Sequence, residues 1–540
     1  MSPISARASR PLAAGTPVGL LAAHAIEPDR VFATVEDSAG ALRTVTYAEE
    51  LDRVRRTATV LSEVGVGSGD RVHLHLGNCL EFYDLWFAAG LIGAVMVPTN
   101  PLSTVDEVVH VLDDAAPVLS LTQSALLDTV RAAAAASDRA VRVMAIEGAG
   151  QDTLSTRTRT AAASVCPDVG ATAAETAAIL YTSGTTSRPK GVLVTHANYV
   201  QVGQAVASHL EVTAEDRWLI VLPLFHANAQ YYCTMSAIVT GASIALAPKF
   251  SASRWGDQAV RHHATLASLF AAPIRMILAS PPQHGEHRGQ LRAVLFAQNL
   301  TVAQAASFEE RFGTRLLQLY GMTETVLPPT MNPDTALRRW NSIGQALPGV
   351  QVRVTDAVGQ CVPIGTPGEL LIRGEPGVTV AAGYLNHPTA TAETFHDGWL
   401  HTGDLAHVDQ EGFFYFVDRA KDMIKRGGEN VAASEIERVV NEHPEVFECA
   451  AVGIPDSIRD EAILVYVVGN EPVTISEGDL FAWCRARLAK FKVPSKFVFT
   501  DALPRTSVGN IRKQALRTDG PPPSATASAT APAVLPSDNV

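Results

Sequence analysis

The stretch "YTSGTTSRPKG", residues 181–191, gathers hydroxyl side chains around a glycine and then supplies a lysine. Because the apolar residues "AAIL" precede it, the pattern predicts a buried strand that opens into a polar loop. Such a loop offers backbone N–H groups, hydroxyl donors and a cation to phosphate oxygens. Its spacing differs from the Walker A motif, and the alternative interpretation is a flexible hydroxyl-rich turn. The candidate phosphate-binding residues are Thr182, Ser183, Gly184, Thr185, Thr186 and Lys190.

Further motifs follow this loop along the chain, in the order "YGMTE" (320–324), "GWLHTGDLA" (398–406), "VDRAKDMIKRGGENV" (417–431) and "LPRTSVGN" (503–510). Together with the loop they resemble the adenylate-forming superfamily, which includes acyl-CoA ligases, luciferases and the adenylation domains of peptide synthetases. The resemblance extends from about residue 20 to residue 517, and "RRWNSIG" and "RDEA" are most similar to betaine- and carnitine-type CoA ligases. One departure is Ser187, where the family usually has glycine; a small residue there still allows the turn.

The resemblance implies a role for each polar residue of these motifs. Tyr320 would stack on adenine, Thr323 would touch the α-phosphate, and Glu324 would hold the Mg²⁺ ion that bridges the phosphates of ATP. A carboxylate is a hard oxygen ligand, which suits that ion. Asp404 would accept hydrogen bonds from both ribose hydroxyls, and Arg419 would support the same ribose. Taken alone, "YGMTE" also fits a turn with a capping Thr-Glu pair, and Asp404 an ordinary turn aspartate.

The stretch "PLFHANAQ" (223–230) puts Phe225 and His226 where the family has a gate beside the substrate carboxylate. Adenylation domains for α-amino acids place an aspartate here, and this sequence has none, which disfavours an amino-acid substrate. The stretches "SLFAAPIRM" (268–276) and "LFAQNL" (295–300) predict a pocket wall and an adenine-facing strand end, or else plain core. These stretches contribute Ala271, Ala297 and Asn299 as candidates for the substrate pocket and Gln298 as a candidate for nucleotide binding. Gly321 of "YGMTE" is a further pocket candidate.

The motif at 417–431 is expected to join two domains. By resemblance Lys421 is the hinge about which the small domain turns between half-reactions. Gly427 and Gly428 would let the pantetheine arm of CoA pass close to the backbone, which a Cβ would obstruct. Arg459 and Lys490 would contact the nucleotide phosphates of CoA, although ordinary solvated cations are the alternative.

Asn510 stands where the family has a catalytic lysine. In the family's first step a carboxylate attacks the α-phosphate of ATP, giving acyl-AMP and pyrophosphate; in the second a thiol displaces AMP. The first step joins two anions and needs a placed cation, and losing such a group typically costs about 10²–10³ in rate. The sequence therefore predicts weak or absent adenylation with thioester formation retained, so that a separate adenylating enzyme or supplied acyl-adenylate would be needed.

Several alternatives remain open at the level of sequence. In one alternative Lys513 or Arg512 replaces the missing cation, which leaves a complete ATP-dependent carboxylate–CoA ligase. The acyl acceptor is CoA or the phosphopantetheine of a carrier protein. A nucleotide-binding protein without activity is disfavoured, because the other motif residues are retained.

Composition limits the setting in which this chemistry occurs. A net charge of -12 argues against nucleic-acid or anionic-membrane partners. The six cysteines are scattered without a CxxC pair, which favours a reducing, cytoplasmic location. The apolar stretch "WFAAGLIGAVMVP" (86–98) is too short to span a bilayer and predicts a buried helix end followed by a buried strand.

These residues must be positioned by more than one domain, since 540 residues exceed what a single core supports. Apolar runs alternate with helical patterns up to about residue 416, which predicts layered α/β subdomains, and residues 349–374 predict a small β-rich subdomain. A small, mobile α+β domain is expected to follow. The predicted boundaries are a disordered N-terminus at 1–16, an adenylate-binding domain at 17–417, a hinge at 418–421, a C-terminal domain at 422–517 and a disordered tail at 518–540.

Overall fold

The computed structural model of the chain describes residues 15–37, 39–148, 152–163, 171–182, 188–282, 290–426, 429–456, 460–470, 475–505 and 511–518. The chain divides into two compact units, Met1–Phe416 and Val417–Val540. The first combines layered α/β sheets with a small β-rich part, and the second is a small α+β unit. This architecture confirms the predicted fold class. Of the termini predicted as disordered, 1–16 and 518–540, residues 1–14 and 519–540 lie outside the described residues; Thr16 caps the helix that begins at Pro17, and Thr518 is the last residue of a helix.

A mostly parallel sheet forms one layer of the first unit, with the strand order β15-β14-β13-β12-β11-β9-β10-β1-β2. Only antiparallel pairings with β2, β14 and β15 extend its edges, among the described strands. The strands are β1 (Val31–Glu36), β2 (Leu42–Thr46), β9 (Arg217–Ile220), β10 (Ser243–Leu246), β11 (Leu266–Phe270), β12 (Ala293–Ala297), β13 (Leu316–Tyr320), β14 (Thr330–Met331) and β15 (Gln345–Ala346).

A second layer has the order β6-β5-β3-β4-β7-β8, parallel except for the antiparallel pair β7–β8 that flanks the hydroxyl-rich loop. Its strands are β3 (Arg71–His75), β4 (Val95–Thr99), β5 (Leu119–Thr122), β6 (Arg142–Ala145), β7 (Thr176–Thr182) and β8 (Lys190–Thr195). The predicted β-rich part is an antiparallel sheet in the order β16-β17-β19-β18, with β20 paired to β19. Its strands are β16 (Gln351–Thr355), β17 (Gly368–Arg373), β18 (Phe395–His396), β19 (Trp399–Val408) and β20 (Phe414–Arg419).

Helices cover these sheets, and several begin at a capping box in which a threonine and a residue three positions later bond each other's backbone N–H groups. The helices of the first unit are α1 (Pro17–His24), α2 (Tyr47–Glu63), α3 (Leu80–Leu91), α4 (Val105–Ala115), α5 (Leu127–Ala136), α6 (Leu154–Thr160), α7 (His196–His209), α8 (Met235–Thr240), α9 (Trp255–Arg261), α10 (Ala271–Ala279), α11 (Val302–Phe312) and α12 (Pro388–Thr394). A π-helical segment, Ala229–Thr234, runs directly into α8.

The stretch at 86–98 follows its prediction. It forms the end of α3 and then β4, and every residue of the two elements except Glu81 is buried. Both pack into the main hydrophobic core, where Trp86 and Phe87 stack with Tyr83. A buried, uncharged stretch of this length therefore forms core.

The second unit is built around a sheet in the order β22-β21-β24-β23, with β25 parallel to β24. Its elements are β21 (Ile424–Arg426), β22 (Glu429–Val431), α13 (Ala433–Asn441), β23 (Val446–Asp456), β24 (Asp460–Gly469), α14 (Glu477–Arg485), β25 (Lys496–Phe499) and α15 (Lys513–Thr518). A core of α13, α14 and the sheet strands lies on one side. On the other side α15 packs through the buried Leu516.

Candidate active site

Four neighbouring parallel strands, β9, β11, β12 and β13, bring most candidate residues of the first unit to one sheet edge. The segment with His226 follows β9, Ala271 follows β11, Gln298 follows β12, and Gly321 follows β13. The carboxyl ends of parallel strands share an edge, and ligands of open α/β sheets bind there. The ring of His226 lies edge-on to Phe270, the last residue of β11, with centroids 5.8 Å apart. The predicted gate is therefore adjacent to the predicted pocket wall.

His226 is held in one neutral form. Burial lowers its pKa to about 4, so the ring is uncharged near neutral pH. Its Nδ1 accepts a hydrogen bond from the backbone N–H of Asn228 at 3.2 Å. The single proton of the neutral ring is therefore on Nε2, which leaves this atom as a donor.

The π-helical segment places two tyrosines against the "YGMTE" loop. The hydroxyl of Tyr231 donates to the carbonyl oxygen of Thr323 at 3.4 Å. A Cβ added to Gly321 would lie 2.6 Å from the hydroxyl oxygen of Tyr232, so the phenol closely approaches this glycine. π-helical turns often occur at functional sites, where they redirect side chains. Tyr232 therefore lies against the predicted pocket glycine.

Glu324 is buried, and the hydroxyl of Tyr384 donates a hydrogen bond to its Oε1 at 2.8 Å. Burial, and then the charge of Glu324, raise the pKa of Tyr384, so the phenol keeps its proton at neutral pH. The Nζ atom of Lys190 lies over the same ring, 5.1 Å from its centroid. Tyr384 thus joins a lysine beside the hydroxyl-rich loop to the candidate Mg²⁺ ligand.

Tyr320 and Asp404 also meet, although β13 and β19 belong to different sheets. The Tyr320 hydroxyl donates to Asp404 Oδ2 at 2.6 Å, and both side chains are almost fully buried. The backbone N–H of Asp404 donates a hydrogen bond to the Thr402 hydroxyl at 3.1 Å. Two residues predicted to contact the nucleoside are therefore adjacent.

Backbone in the left-handed region borders this edge. Gln298 has a φ of 76° and Val326 a φ of 54°, values that L residues other than glycine rarely adopt. The side-chain amide of Gln318 donates to the Gln298 carbonyl at 2.8 Å, which helps to hold that turn. Conformations of this kind cluster at ligand sites.

The other candidates are placed as follows. Phe225 and Ala297 are partly buried at the same edge, Asn299 is exposed, and Ala271 is fully buried. Thr182 ends β7. The second unit contains Arg419, Lys421 and Lys490, of which the last two are exposed. Lying outside the described residues are Ser183, Gly184, Thr185, Thr186, Ser187, Gly427, Gly428, Arg459 and Asn510.

Lys513, one of the two cations that follow Asn510, is engaged within the second unit. Its Nζ pairs with Oε1 of Glu437 on α13 at 2.8 Å, and 14% of the lysine side chain is exposed. Burial alone would lower the pKa of Lys513, but Glu437 and Asp418 raise it above its ordinary value. The side chain of Arg512 is exposed, and none of the described residues pairs with it.

The donor set suits Mg²⁺ bound together with phosphate. Among the described residues there is no cluster of three or more metal-binding side chains, so a cage made only of protein ligands is absent from that part of the chain. Mg²⁺ commonly uses one or two carboxylates together with substrate phosphates, and Glu324 fits that pattern. None of the helices in the described part of the chain combines the length and the apolar character that crossing a bilayer requires.

Sequence reasoning missed Tyr384 and Tyr232. Neither residue belongs to a recognised motif: Tyr384 is in "AAGYLN", and Tyr232 is the second tyrosine of "AQYYCT". Their partners, Glu324 and Gly321, are distant in sequence, so only the folded chain reveals the contacts. The glycine before Tyr384 was the available signal, since it marks a turn close to other backbone.

Comparison with known proteins accounts for nearly the whole chain. Residues 22–385 match the family described as AMP-binding enzyme, and residues 435–510 match the AMP-binding enzyme C-terminal domain. The chain is 38% identical over 489 residues to the crotonobetaine/carnitine–CoA ligase of Escherichia coli O139:H28 (strain E24377A / ETEC). That alignment covers 89% of this chain and 95% of that enzyme.

Solved structures agree with this result. ATP-bound MatB from Rhodopseudomonas palustris superposes with a TM-score of 0.84 at 30% identity, covering 93% of this chain and 98% of MatB. The o-succinylbenzoate CoA synthetase MenE from Bacillus subtilis, in complex with the acyl-adenylate OSB-AMP, gives a TM-score of 0.81 at 29% identity. That superposition covers 92% of this chain and 97% of MenE. The Escherichia coli relative and MenE are a CoA ligase and a CoA synthetase by name. Both solved structures share the fold of this chain.

Proposed function

The chain belongs to the AMP-binding enzyme family, in its acyl-CoA ligase branch, and from that premise we propose which half of the reaction it performs. It forms an acyl-CoA thioester from an acyl-adenylate and CoA, while its own synthesis of the adenylate from ATP is weak or absent. Its partners are a small carboxylic acid or the corresponding adenylate, CoA, and a separate adenylating enzyme that supplies the activated acid. The scattered cysteines support a cytoplasmic location.

The observation that carries this proposal is Asn510 in the position of the expected lysine. Attack of a carboxylate on the α-phosphate brings two anions together, and a fixed positive charge lowers that barrier. An asparagine amide is shorter and neutral. The absence of the lysine charge is expected to slow adenylation by about 10²–10³-fold, or about 3–4 kcal/mol.

The engagement of Lys513 supports the same conclusion. To act in place of the missing lysine it would have to leave Glu437, its partner at 2.8 Å. Breaking such a buried ion pair costs about 3–5 kcal/mol, because the carboxylate is left without a counter-charge. That cost is as large as the benefit that a cation would bring to the reaction, so Lys513 is a poor replacement.

The retained residues are consistent with an adenylate site. The pair Tyr320–Asp404 would receive the adenosine, with the carboxylate accepting from the ribose hydroxyls and its orientation fixed by the tyrosine. Arg419 would assist there. Glu324 would hold Mg²⁺, whose charge offsets that of the phosphates when ATP is bound, and Thr323 and Lys190 would contact phosphate oxygens. In acyl-AMP only one phosphate remains, so the second step depends much less on these cations.

In the second step the sulfur of CoA attacks the acyl carbonyl carbon, the bond from that carbon to the phosphate oxygen of AMP breaks, and AMP leaves with the electron pair. The thiol proton passes to solvent. Since burial lowers the pKa of His226 to about 4, its ring is too weak a base to take this proton near neutral pH. We assign it instead as a hydrogen-bond donor through Nε2 to an oxygen of the acyl group.

The pocket candidates favour an acid whose tail does not need an oppositely charged side chain in the pocket. Phe225 and Ala297 are apolar, Asn299 is polar and neutral, and His226 is uncharged. Related enzymes act on crotonobetaine or carnitine and on o-succinylbenzoate. Aromatic faces also accept quaternary ammonium groups through cation–π contacts. A test panel should therefore include short aliphatic, aromatic and trimethylammonium acids.

A second candidate is a complete ATP-dependent carboxylate–CoA ligase, and one observation favours it. Arg512 is exposed and is not paired with any residue that the structure describes. It lies two positions after Asn510, and its charge is permanent. In this alternative its guanidinium would serve the first step.

The test compares wild type with Asn510→Lys in two assays. In the first, ATP, Mg²⁺ and the acid panel are supplied, and pyrophosphate release is followed. In the second, synthetic acyl-AMP is supplied with CoA, or with a phosphopantetheinyl carrier protein, and the thioester is followed. We expect N510K to release pyrophosphate about 10²–10³-fold faster than wild type. Thioester formation should stay close to the wild-type rate.

Arg512→Gln completes the design, with Arg438→Gln as a control, since Arg438 is an exposed arginine on α13 of the same unit. Brisk pyrophosphate release by wild type would contradict the proposal. If that release were lost in R512Q and kept in R438Q, the complete-ligase alternative would be correct. A protein that binds acyl-AMP yet yields no thioester with either acceptor would be a binding module.

A further inference from the structure

Tyr384 contacts two candidate phosphate-site residues that come from different parts of the chain. Its hydroxyl donates to Glu324 Oε1 at 2.8 Å, and its ring lies under Lys190 Nζ at 5.1 Å from the centroid. Glu324 follows β13, whereas Lys190 begins β8 of the other sheet. One side chain therefore bridges the two sheets at the point where phosphates are expected.

The backbone around Tyr384 is fixed against β8 on both sides. The N–H of Leu385 donates to the carbonyl of Gly191 at 2.8 Å, and the N–H of Leu193 donates to the carbonyl of Gly383 at 2.9 Å. The N–H of Tyr384 itself donates to the hydroxyl of Thr391 on α12 at 3.0 Å. Because β8 also begins with Lys190, the tyrosine and the lysine belong to one rigid frame.

We propose that Tyr384 is a positioning residue that fixes the Glu324 carboxylate for Mg²⁺-bound nucleotide and keeps Lys190 beside it. This inference rests on the proposed function, which makes Glu324 the metal ligand. Mg²⁺ demands nearly ideal geometry, so a carboxylate held by a hydrogen bond on one oxygen binds it better than one free to rotate. Partners of this kind typically contribute about 10–100-fold to metal affinity.

A purely structural role predicts different behaviour. Tyr384→Phe keeps the ring, its packing and its contact with Lys190, and removes only the hydroxyl. If the residue served packing alone, Y384F would leave the effect of Mg²⁺ on nucleotide binding unchanged. The dependence on Mg²⁺ therefore separates the two roles.

The experiment is calorimetric titration of the full-length protein with an ATP analogue that has a methylene bridge between its α- and β-phosphates. Wild type and Y384F are each measured with Mg²⁺ and with EDTA. For Y384F we expect Kd with Mg²⁺ to rise at least about 10-fold, with little change in EDTA or for AMP. In a Glu324→Gln background the same substitution should add no further loss, because Tyr384 acts through that carboxylate.

Tyr415→Phe is the matched control, since Tyr415 also donates to a carboxylate, Asp409, and its other side-chain partners, Arg339 and His407, are not candidate site residues. An equal loss in Y415F, a loss in Y384F that is the same without Mg²⁺, or wild-type binding that ignores Mg²⁺ would each overturn the proposal. If Y384F does not fold, Tyr384→Met supplies the same deletion of the hydroxyl. Calorimetry needs no turnover, so pyrophosphate release by wild type would end the non-adenylating proposal and leave this result standing.

Discussion

Glu50 is a carboxylate that the fold buries at a cost. It lies on α2 with its side chain fully buried, and neither oxygen has a hydrogen-bond partner among the described residues. Arg53 is 3.8 Å away but donates its hydrogen bonds to Asp84. Burial, and then the charge of Asp84, raise the pKa of Glu50 well above its ordinary value. The charged form therefore opposes folding.

This environment predicts that Glu50→Met stabilises the protein. An unpartnered buried polar group typically costs about 1–3 kcal/mol, and methionine has a similar length without that cost. Because the folded-state pKa is raised, the additional penalty of the charge is absent below the ordinary value of 4.5 and grows as the pH rises from there through the raised value. The gain in the apparent free energy of unfolding should thus be larger at pH 8 than near pH 4.5, measured by urea denaturation.

Glu63→Met on the same helix provides the control. Glu63 is exposed at the end of α2, and surface substitutions usually change stability by less than about 0.5 kcal/mol. A gain in E50M that did not depend on pH, or one that E63M matched, would contradict the assignment of the effect to a buried charge.

At the scale of elements, the approach of α7 to α8 sets the position of the π-helical segment. A Cβ on Gly203 of α7 would lie 2.7 Å from the carbonyl oxygen of Met235, the first residue of α8. The π-helical segment with Tyr231 and Tyr232 ends at the preceding residue. Only glycine at position 203 allows this approach without displacing that segment.

Gly203→Ala should therefore lower the stability of the protein and also weaken acyl-AMP binding. Overpacking of this kind costs about 1–3 kcal/mol, so the apparent Tm should fall. Because Tyr232 approaches Gly321, the affinity for acyl-AMP should fall as well, measured by calorimetry. Gly67→Ala is the control, since the nearest atom to a Cβ there is 3.6 Å away. Unchanged acyl-AMP affinity in a folded G203A would show that the helix contact does not set the pocket.

The sequence predicts elements better than it predicts the contacts between them. Apolar runs predicted α3 and β4 correctly because nearly every residue of both elements is buried. An apolar composition alone indicates burial of this kind. The motifs predicted that Tyr320 and Asp404 contact the nucleotide, but the hydrogen bond between them joins positions 84 residues apart in different sheets. Tyr384 and the π-helical segment carried no motif. Contacts of this kind depend on how sheets pack, which local pattern does not encode.

At the scale of the whole molecule, the proposed movement of the second unit between half-reactions can be tested by itself, because we propose that this chain performs mainly the second half-reaction. In a ligase with a full first step, a hinge variant affects ATP-driven turnover through both steps. Here supplied acyl-AMP bypasses adenylation, so the remaining step reports the movement alone. The proposed hinge, Lys421, is exposed within the 3₁₀ turn Ala420–Asp422 of the second unit.

Lys421→Pro tests this directly. Proline fixes φ near −65° and removes the backbone N–H, so a hinge at this residue would lose its freedom to turn. We expect K421P to bind acyl-AMP as wild type does, because the residues proposed for that site are outside the turn. Its rate of thioester formation from acyl-AMP and CoA should fall by about 10²-fold or more, the range that misplaced reacting groups produce. Lys421→Ala removes the side chain but keeps the backbone free, and should retain activity; equal losses in both variants would assign the role to the lysine side chain and remove position 421 as the hinge.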